Sequence, residues 1–394
     1  MNRKRETPAR RSDGVTTVPG SDRSTPAGTA INPRPQLARP KYATDNVFHN
    51  ELRRRVDAYF ATTGQSPRDC WQMYLKTAIL LAAFFGSYLL LVFVAQAWWQ
   101  ALPLAILLGL AAAGIGLNVQ HDGGHHAYSN HPWVNNLMAA TLDLLGASSY
   151  LWHGKHVVFH HAYTNIEGQD TDIDLGFLGR LTPHQPRYRF HRWQHYYLWP
   201  FYGFMAIQWT LYNDFQEVIT GRIHDHRFPR PRGWNLVTFI AGKAVFLALA
   251  FGVPMLFHPW WVVLPFYGVA AFVLGLVLAV VFQLAHCVEE AQFPLPNGES
   301  GRIENAWAVH QVETTVDFAR RSPVVAWLLG GLNFQVEHHL FPRVCHVHYP
   351  ALSKLVELTC QDFGVRYAEH RSFWSGTAAH FRWLRRLGMP GAAR

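Results

Sequence analysis

Charge is what this chain has least of. Only 15 % of its 394 residues are Asp, Glu, Lys or Arg, against roughly 25 % in soluble domains. Hydrophobic residues make up 49 % and aromatic residues 14 %. The deficit excludes a chain whose length goes into several soluble domains and points to membrane spans. Cysteine is also scarce: the four (Cys70, Cys287, Cys345, Cys360) show no CxxC spacing. That excludes a disulfide framework and a thiolate metal site. A net charge of +9 raises nucleic acid as a partner. The basic residues, however, sit in a tail and in loops beside apolar runs, which suits an anionic membrane surface and no nucleic acid.

Histidine is abundant, 23 in all, and it is clustered. Gln120-His-Asp-Gly-Gly-His-His126 forms a first box. His156-Val-Val-Phe-His-His161, with His153 just before it, forms a second. Gln335-Val-Glu-His-His339 forms a third. His121 and His125 stand four apart, as do His156 and His160, so on a helix each pair shares a face. The adjacent pairs His160/His161 and His338/His339 point about 100° apart, toward two metals or toward a metal and its surroundings. Seven imidazoles exceed what one ion can take with room for substrate, which favours a two-metal centre. Zinc in a structural role takes four ligands and does no redox chemistry. Iron with open positions activates dioxygen.

Carboxylates are nearly missing from the boxes, which excludes the Glu-based di-iron bundle. Asp122 and Glu337 are expected to orient imidazoles through the second ring nitrogen. Asn165, Asp170, Asp172 and Asp174 either do the same or hold a polar headgroup. His286, ending an apolar run at the depth where the first box begins, is a candidate eighth ligand. His310, His126, His153 and Gln335 are possible ligands or outer contacts. His131, His184, His191, His195, His224, His226, His346 and His348 lack box spacing and are expected as solvated or interfacial loop residues.

Four runs reach the roughly 20 residues of a spanning helix: Thr77–Ala97, Ala101–Val119, Trp234–Phe257 and Trp261–Leu284. The turns within each pair carry Trp but no Lys or Arg, so the positive-inside rule puts both turns outside and the boxes and both termini in the cytosol. Residues 1–45, rich in Arg, Pro, Thr, Ser and Gly, read as a disordered basic tail, leaving 46–394 as one domain. Its cap comprises residues 120–233 and 285–394. Asn46–Gln72 reads as an amphipathic helix, Trp133–Trp152 as one re-entrant or interfacial helix, and Tyr196–Phe215 as an aromatic-rich segment broken by Pro200. Lys243, inside the third run, has no account in the sequence.

The three boxes, with Asn333-Phe-Gln-Val-Glu-His-His-Leu-Phe-Pro342 around the third, resemble those of the membrane fatty acid desaturases. The glutamine opening the third box resembles the front-end, acyl-lipid (linoleoyl-CoA-type) branch. The resemblance covers roughly residues 70–365. It implies an all-α membrane protein of four spans, with a cytosolic helical cap holding two iron ions. The ligands it implies are His121, His125, His156, His160, His161, His286, His338 and His339, with Gln335 either a weak ligand or a place for water. It implies that O2 and two external electrons remove hydrogens from neighbouring acyl methylenes, leaving a cis double bond. The acyl carrier is CoA, a lipid or a carrier protein. The His-Pro-Gly-Gly of a fused haem domain is missing, so electrons are expected from a separate ferredoxin or cytochrome, docked by Arg187, Arg189, Arg192, Arg320 or Arg321. A hydroxylase, acetylenase or conjugase on the same scaffold is the alternative. A histidine-rich metal carrier is a more distant one, because a carrier would place its ligands along the spans.

Overall fold

The computed structural model describes residues 39–391. Most of the expected basic tail lies outside the described residues. Its last part is ordered: Lys41–Ala43 pairs in parallel with Arg302–Ala306, and the Tyr42 hydroxyl donates to the Ala162 carbonyl at 2.6 Å.

Four helices are long and apolar enough to cross a membrane: Trp71–Phe93, Trp98–Gly124, Trp234–Phe257 and Trp260–His286. The third matches its expected limits. The first starts six residues earlier than Thr77, because Lys76 does not end the apolar helix. Its ammonium is buried and donates to the Asn118 side chain at 2.9 Å and the Trp327 carbonyl at 3.0 Å, and it contacts the His346 ring at 2.9 Å. The second runs on through the first box, winding as a π-helix over Ile115–Gln120. The fourth contains His286 in its last turn.

These helices form two hairpins whose turns meet at one end. There the His258 ring contacts the Val92 carbonyl at 2.7 Å, and Phe93 and Phe257 pack edge to face. The first box and His286 therefore share the opposite end. Small residues permit the close crossings typical of membrane helices. A Cβ at Gly109 would collide with the Ala270 carbonyl, and one at Gly275 would lie 2.5 Å from the Gly203 carbonyl oxygen. Leu89, Leu90, Ile240 and Leu256 point outward and exposed, as a lipid-facing surface requires.

Between the hairpins, Trp133–Trp152 is three short helices rather than one: Pro132–Ala139, Thr141–Leu144 and Ser149–Trp152. The last break needs the left-handed backbone of Gly146 (φ 94°), and Ser148 caps the helix that follows. Residues 194–220 form one continuous helical stretch that takes Pro200 in its second turn. It packs on the fourth helix where Gly203 faces Gly275. The amphipathic helix Val47–Thr63 buries Phe48, Leu52 and Val56 against Val356 and Leu352 of Tyr349–Phe363. The last helix, Phe373–Gly388, packs Trp383, Leu384 and Leu387 against Leu181 and Leu198. The fold is mostly helical, with two-stranded ladders such as Asp317–Phe318 with Glu369–His370 as clips.

Candidate metal centre

Box one ends the second helix, so His121 and His125 stack one turn apart, ring centroids 4.8 Å. Box two does not follow the α-helical spacing. His153–His160 winds as a π-helix, and the His161 N–H donates to the His156 carbonyl five residues back at 3.0 Å. A π-turn aligns residues five apart, so His156 and His161 converge, Nε2 to Nε2 at 3.2 Å. His160 turns the other way, toward His286 (4.7 Å) and His339 (4.9 Å). Box three, on the helix Gln335–Leu340, divides its adjacent pair between the two sides.

Overlapping buried groups result. His121, His125, His156 and His338 bring one donor atom each within 4.8 Å of one another, and His160, His286 and His339 do the same; His161 forms a third such group with His338 and His339. Eight imidazoles from distant parts of the chain thus share one end of the bundle.

The nitrogens facing inward lack partners. His125, His160, His338 and His339 each leave Nε2 buried without a hydrogen bond, and His286 leaves both nitrogens so. Each such atom costs roughly 1–3 kcal/mol when nothing binds it. His121 Nε2 lies 3.1 Å from His156 Nε2, where two lone pairs repel unless a proton or cation sits between them. Burial, aided by the neighbouring imidazoles, holds His125, His156, His161, His338 and His339 well below the usual imidazole range. They are neutral at pH 7, the form that binds metal. The donor set therefore fits transition-metal ions.

Outer contacts fix the rings. At His160, burial disfavours the charged form but the Asp170 carboxylate outweighs it and raises the pKa; Nδ1 lies 3.0 Å from Asp170. His339 Nδ1 meets Gln311 Oε1 at 2.8 Å, which also accepts from the Thr164 hydroxyl. His338 Nδ1 lies 3.4 Å from the Tyr349 hydroxyl. Asp170 matches the orienting role expected of it. Gln311 and Tyr349 carried no signal in the sequence.

Several expectations are corrected. Asp122 orients no box imidazole; its carboxylate pairs with His346 Nδ1 at 2.9 Å. Glu337 is buried against Asp317 and accepts from the Tyr367 hydroxyl at 3.1 Å. His310 spends Nε2 on the Thr164 carbonyl at 2.9 Å. The Asn165 amide donates to the carbonyls of His286, Gln292 and Thr314, tying the end of the fourth helix to two loops. His126 and His153 are exposed and lie outside the clusters. Gln335 is buried with both amide atoms unpartnered, one turn before His338. His191, His195, His226, His346 and His348, expected in solvent, are buried; His226 stacks on Phe159 and contacts the Gly168 carbonyl. Arg320 is not free to dock a partner, because it pairs with Glu357 and Glu369 at 2.8 and 2.9 Å.

An apolar cavity of about 750 Å³ lies among all four long helices, bordered by residues such as Phe84, Tyr88, Leu108, Phe246, Val262 and Leu274. The third helix contributes through Phe246 and Leu249. Behind Leu145, Ala206, Thr210 and Leu274, which it shares with this cavity, lies a second, much smaller apolar void of about 20 Å³ walled also by Gly116, Ala147, Trp209 and Leu278.

A buried cluster of imidazoles at one end of four membrane-length helices that enclose an apolar cavity fits a membrane oxidoreductase, and the chain belongs to the fatty acid desaturase family. The profile of that family, described as fatty acid desaturase, matches residues 96–371. An sn-1 linoleoyl-lipid 6-desaturase from Arthrospira platensis is 40 % identical over 87 % of this chain and 93 % of its own length. The enzyme of the same description from Synechocystis is 38 % identical, over 89 % of this chain and 98 % of its own. An acyl-lipid (8-3)-desaturase from Physcomitrium patens is 37 % identical over 88 % of this chain and 73 % of its own. The protein is a membrane fatty acid desaturase.

Proposed function

We propose that this desaturase acts on a lipid-linked acyl chain, between the headgroup and a double bond already present, with iron held by the eight clustered histidines. The observation that carries the reading is the set of orphaned imidazole nitrogens at one end of a helical bundle that encloses an acyl-sized apolar cavity. The substrate class is supported by relatives described as acting on linoleoyl-lipid and acyl-lipid. His121, His125, His156 and His338 would hold one iron, and His160, His286 and His339 the other, with His161 beside both. Gln335 leaves room for a water or a weak ligand. Two iron ions would supply the oxidising power, drawn from O2 and two external electrons, that removes two hydrogens from neighbouring methylenes.

The chain's own residues do the positioning. An unactivated methylene is recognised only by its distance from the headgroup and from the methyl end, so the cavity walls set which bond is presented. Asp170, Gln311 and Tyr349 hold three rings in fixed orientation. Burial of the histidines keeps bulk water from the reacting carbons. The Lys- and Arg-free turns at the other end favour a cytosolic histidine end. Arg189, Arg192 and Arg321 are candidates there to dock a separate acidic ferredoxin or cytochrome, whereas Arg187 already donates to the Gly388 carbonyl at 2.7 Å.

The test is the fatty acid profile of a host expressing the intact chain beside a His338→Ala control, by gas chromatography–mass spectrometry with double-bond localisation. A new double bond on the headgroup side of an existing one, only with the intact chain, is the expected result. A hydroxylated product, or a new bond on the methyl side, would overturn it.

A further inference from the structure

Trp209 walls the small apolar void of about 20 Å³ that shares Leu145, Ala206, Thr210 and Leu274 with the large cavity, and its buried indole N–H has no hydrogen-bond partner. Every other side chain walling this chamber is aliphatic except Thr210, whose hydroxyl is already spent on the Ala206 carbonyl at 2.8 Å. Trp209 opens the π-helical turn Trp209–Asn213, a local irregularity of the kind found at functional sites. The indole is held from one side: the Lys155 ammonium lies 5.5 Å from the ring centroid and is itself anchored to Glu217 at 2.8 Å.

The chamber is close to the chemistry. Leu278 precedes Phe282 by one turn of the fourth helix, and the Phe282 ring is 5.5 Å from His156 and 5.9 Å from His160. Gly116 precedes His121 by five residues. The chamber thus lies about one helical turn from Phe282 and from the first box, a separation that a few methylenes of an acyl chain span.

A buried donor among hydrocarbon walls is costly unless its ligand offers an acceptor. The one acceptor an apolar chain can bring there is the π-electron cloud of a double bond. We propose that Trp209 is a specificity-determining residue whose indole N–H donates to a cis double bond already present in the substrate, a few carbons to the methyl side of the bond under attack. This rests on the reading of the chain as an acyl-lipid desaturase acting on unsaturated chains. A saturated chain of equal length fills the same space but leaves the N–H unpaired, so the unsaturated chain is preferred.

The experiment gives membranes holding the full-length, iron-loaded chain equal amounts of linoleoyl and stearoyl substrate and measures the ratio of products. The intact protein is expected to prefer linoleoyl. Trp209→Phe, which keeps an aromatic wall and removes the N–H, is expected to lower that preference about two- to fivefold, as loss of one weak N–H···π contact would. Conversion of stearoyl and the iron content are expected to hold. Leu278→Ala, which enlarges the same chamber without touching a donor, is expected to change both substrates alike. An unchanged ratio in Trp209→Phe overturns the inference while leaving the desaturase reading intact. An intact protein without preference for linoleoyl overturns it regardless of how the variant folds. Failure of the intact protein to desaturate either chain overturns both.

Discussion

The ammonium of Lys243, inside the third apolar helix, lies 2.8 Å from the carboxylate of Asp214 in the stretch 194–220, and both are buried. It also donates to the carbonyls of Gly146 (2.6 Å) and Thr210 (2.7 Å), and the same Asp214 oxygen accepts the Ser148 N–H at 2.8 Å. One buried cation thus ties the third helix to the segment before box two and to the π-turn that carries Trp209. A charge inside a membrane helix is tolerated because it is paired and fully hydrogen-bonded. Lys243→Met leaves the carboxylate buried and alone, a loss of about 3–5 kcal/mol. The double variant with Asp214→Asn should recover most of that, because the amide still accepts from Ser148. Thermal unfolding in detergent of both single variants and the pair reads the coupling; additive losses would refute it.

Asp143 gives a pH dependence of stability. Burial, with a smaller contribution from Asp214, pushes its carboxyl up to about 6, while an unfolded Asp titrates near 3.9. The folded form therefore keeps a proton that the unfolded form releases. This group costs nothing below about pH 4, and stability falls as pH rises from about 4 to about 6, by up to roughly 3 kcal/mol. Asp143→Asn should flatten that window, raising the melting temperature at pH 7 and leaving it unchanged at pH 4. Parallel pH–stability curves for the two proteins would count against it.

How much of this was legible follows from which interactions are local. Apolar runs of spanning length and the i, i+4 histidine pairs are local, and the four helices and the first box sit where those patterns put them. The π-turn of box two is not local. The pattern pairs His156 with His160, and their rings do stack at 5.2 Å; what it misses is that the π-turn also brings His161 onto His156, Nε2 to Nε2 at 3.2 Å. Lys76 looks like a helix limit in sequence and Lys243 has no account there; partners 42 and 29 residues away make both interior. Asp122 reads as an imidazole orienter by adjacency, yet its partner His346 is 224 residues distant. Loop histidines look alike in sequence whether they end in solvent, like His224, or against a ring, like His226. The first ordered strand, Lys41–Ala43, lies in a stretch whose composition is that of a tail.

Gly275 tests the packing that shapes the cavity. Its missing Cβ lets residues 194–220 approach the fourth helix until the Gly203 carbonyl lies where that Cβ would be, at 2.5 Å. The obstacle is backbone, so Gly275→Ala must push the helices apart, costing about 1–3 kcal/mol and displacing Ala206 and Thr210 in the cavity wall. Gly268→Ala, on the same helix with open space around its Cβ position, should be neutral. Comparable melting temperatures for the two variants would show that the crossing tolerates the methyl group.

The roles assigned to the histidines separate by iron content. His338→Ala removes a donor common to two of the groups and should abolish turnover with loss of bound iron. Asp170→Asn leaves all eight imidazoles but replaces the carboxylate that fixes His160, so iron affinity should fall about 10–100-fold while the protein stays folded. His310→Phe and His226→Ala remove buried rings whose Nε2 atoms contact backbone carbonyls. Both should lower thermal stability, since each leaves a carbonyl unpaired, yet retain stoichiometric iron and activity in the folded fraction. Metal analysis of the four purified variants beside the intact chain decides the matter: iron lost from His310→Phe as completely as from His338→Ala would place that ring among the ligands, and full affinity in Asp170→Asn would mean that packing alone holds His160.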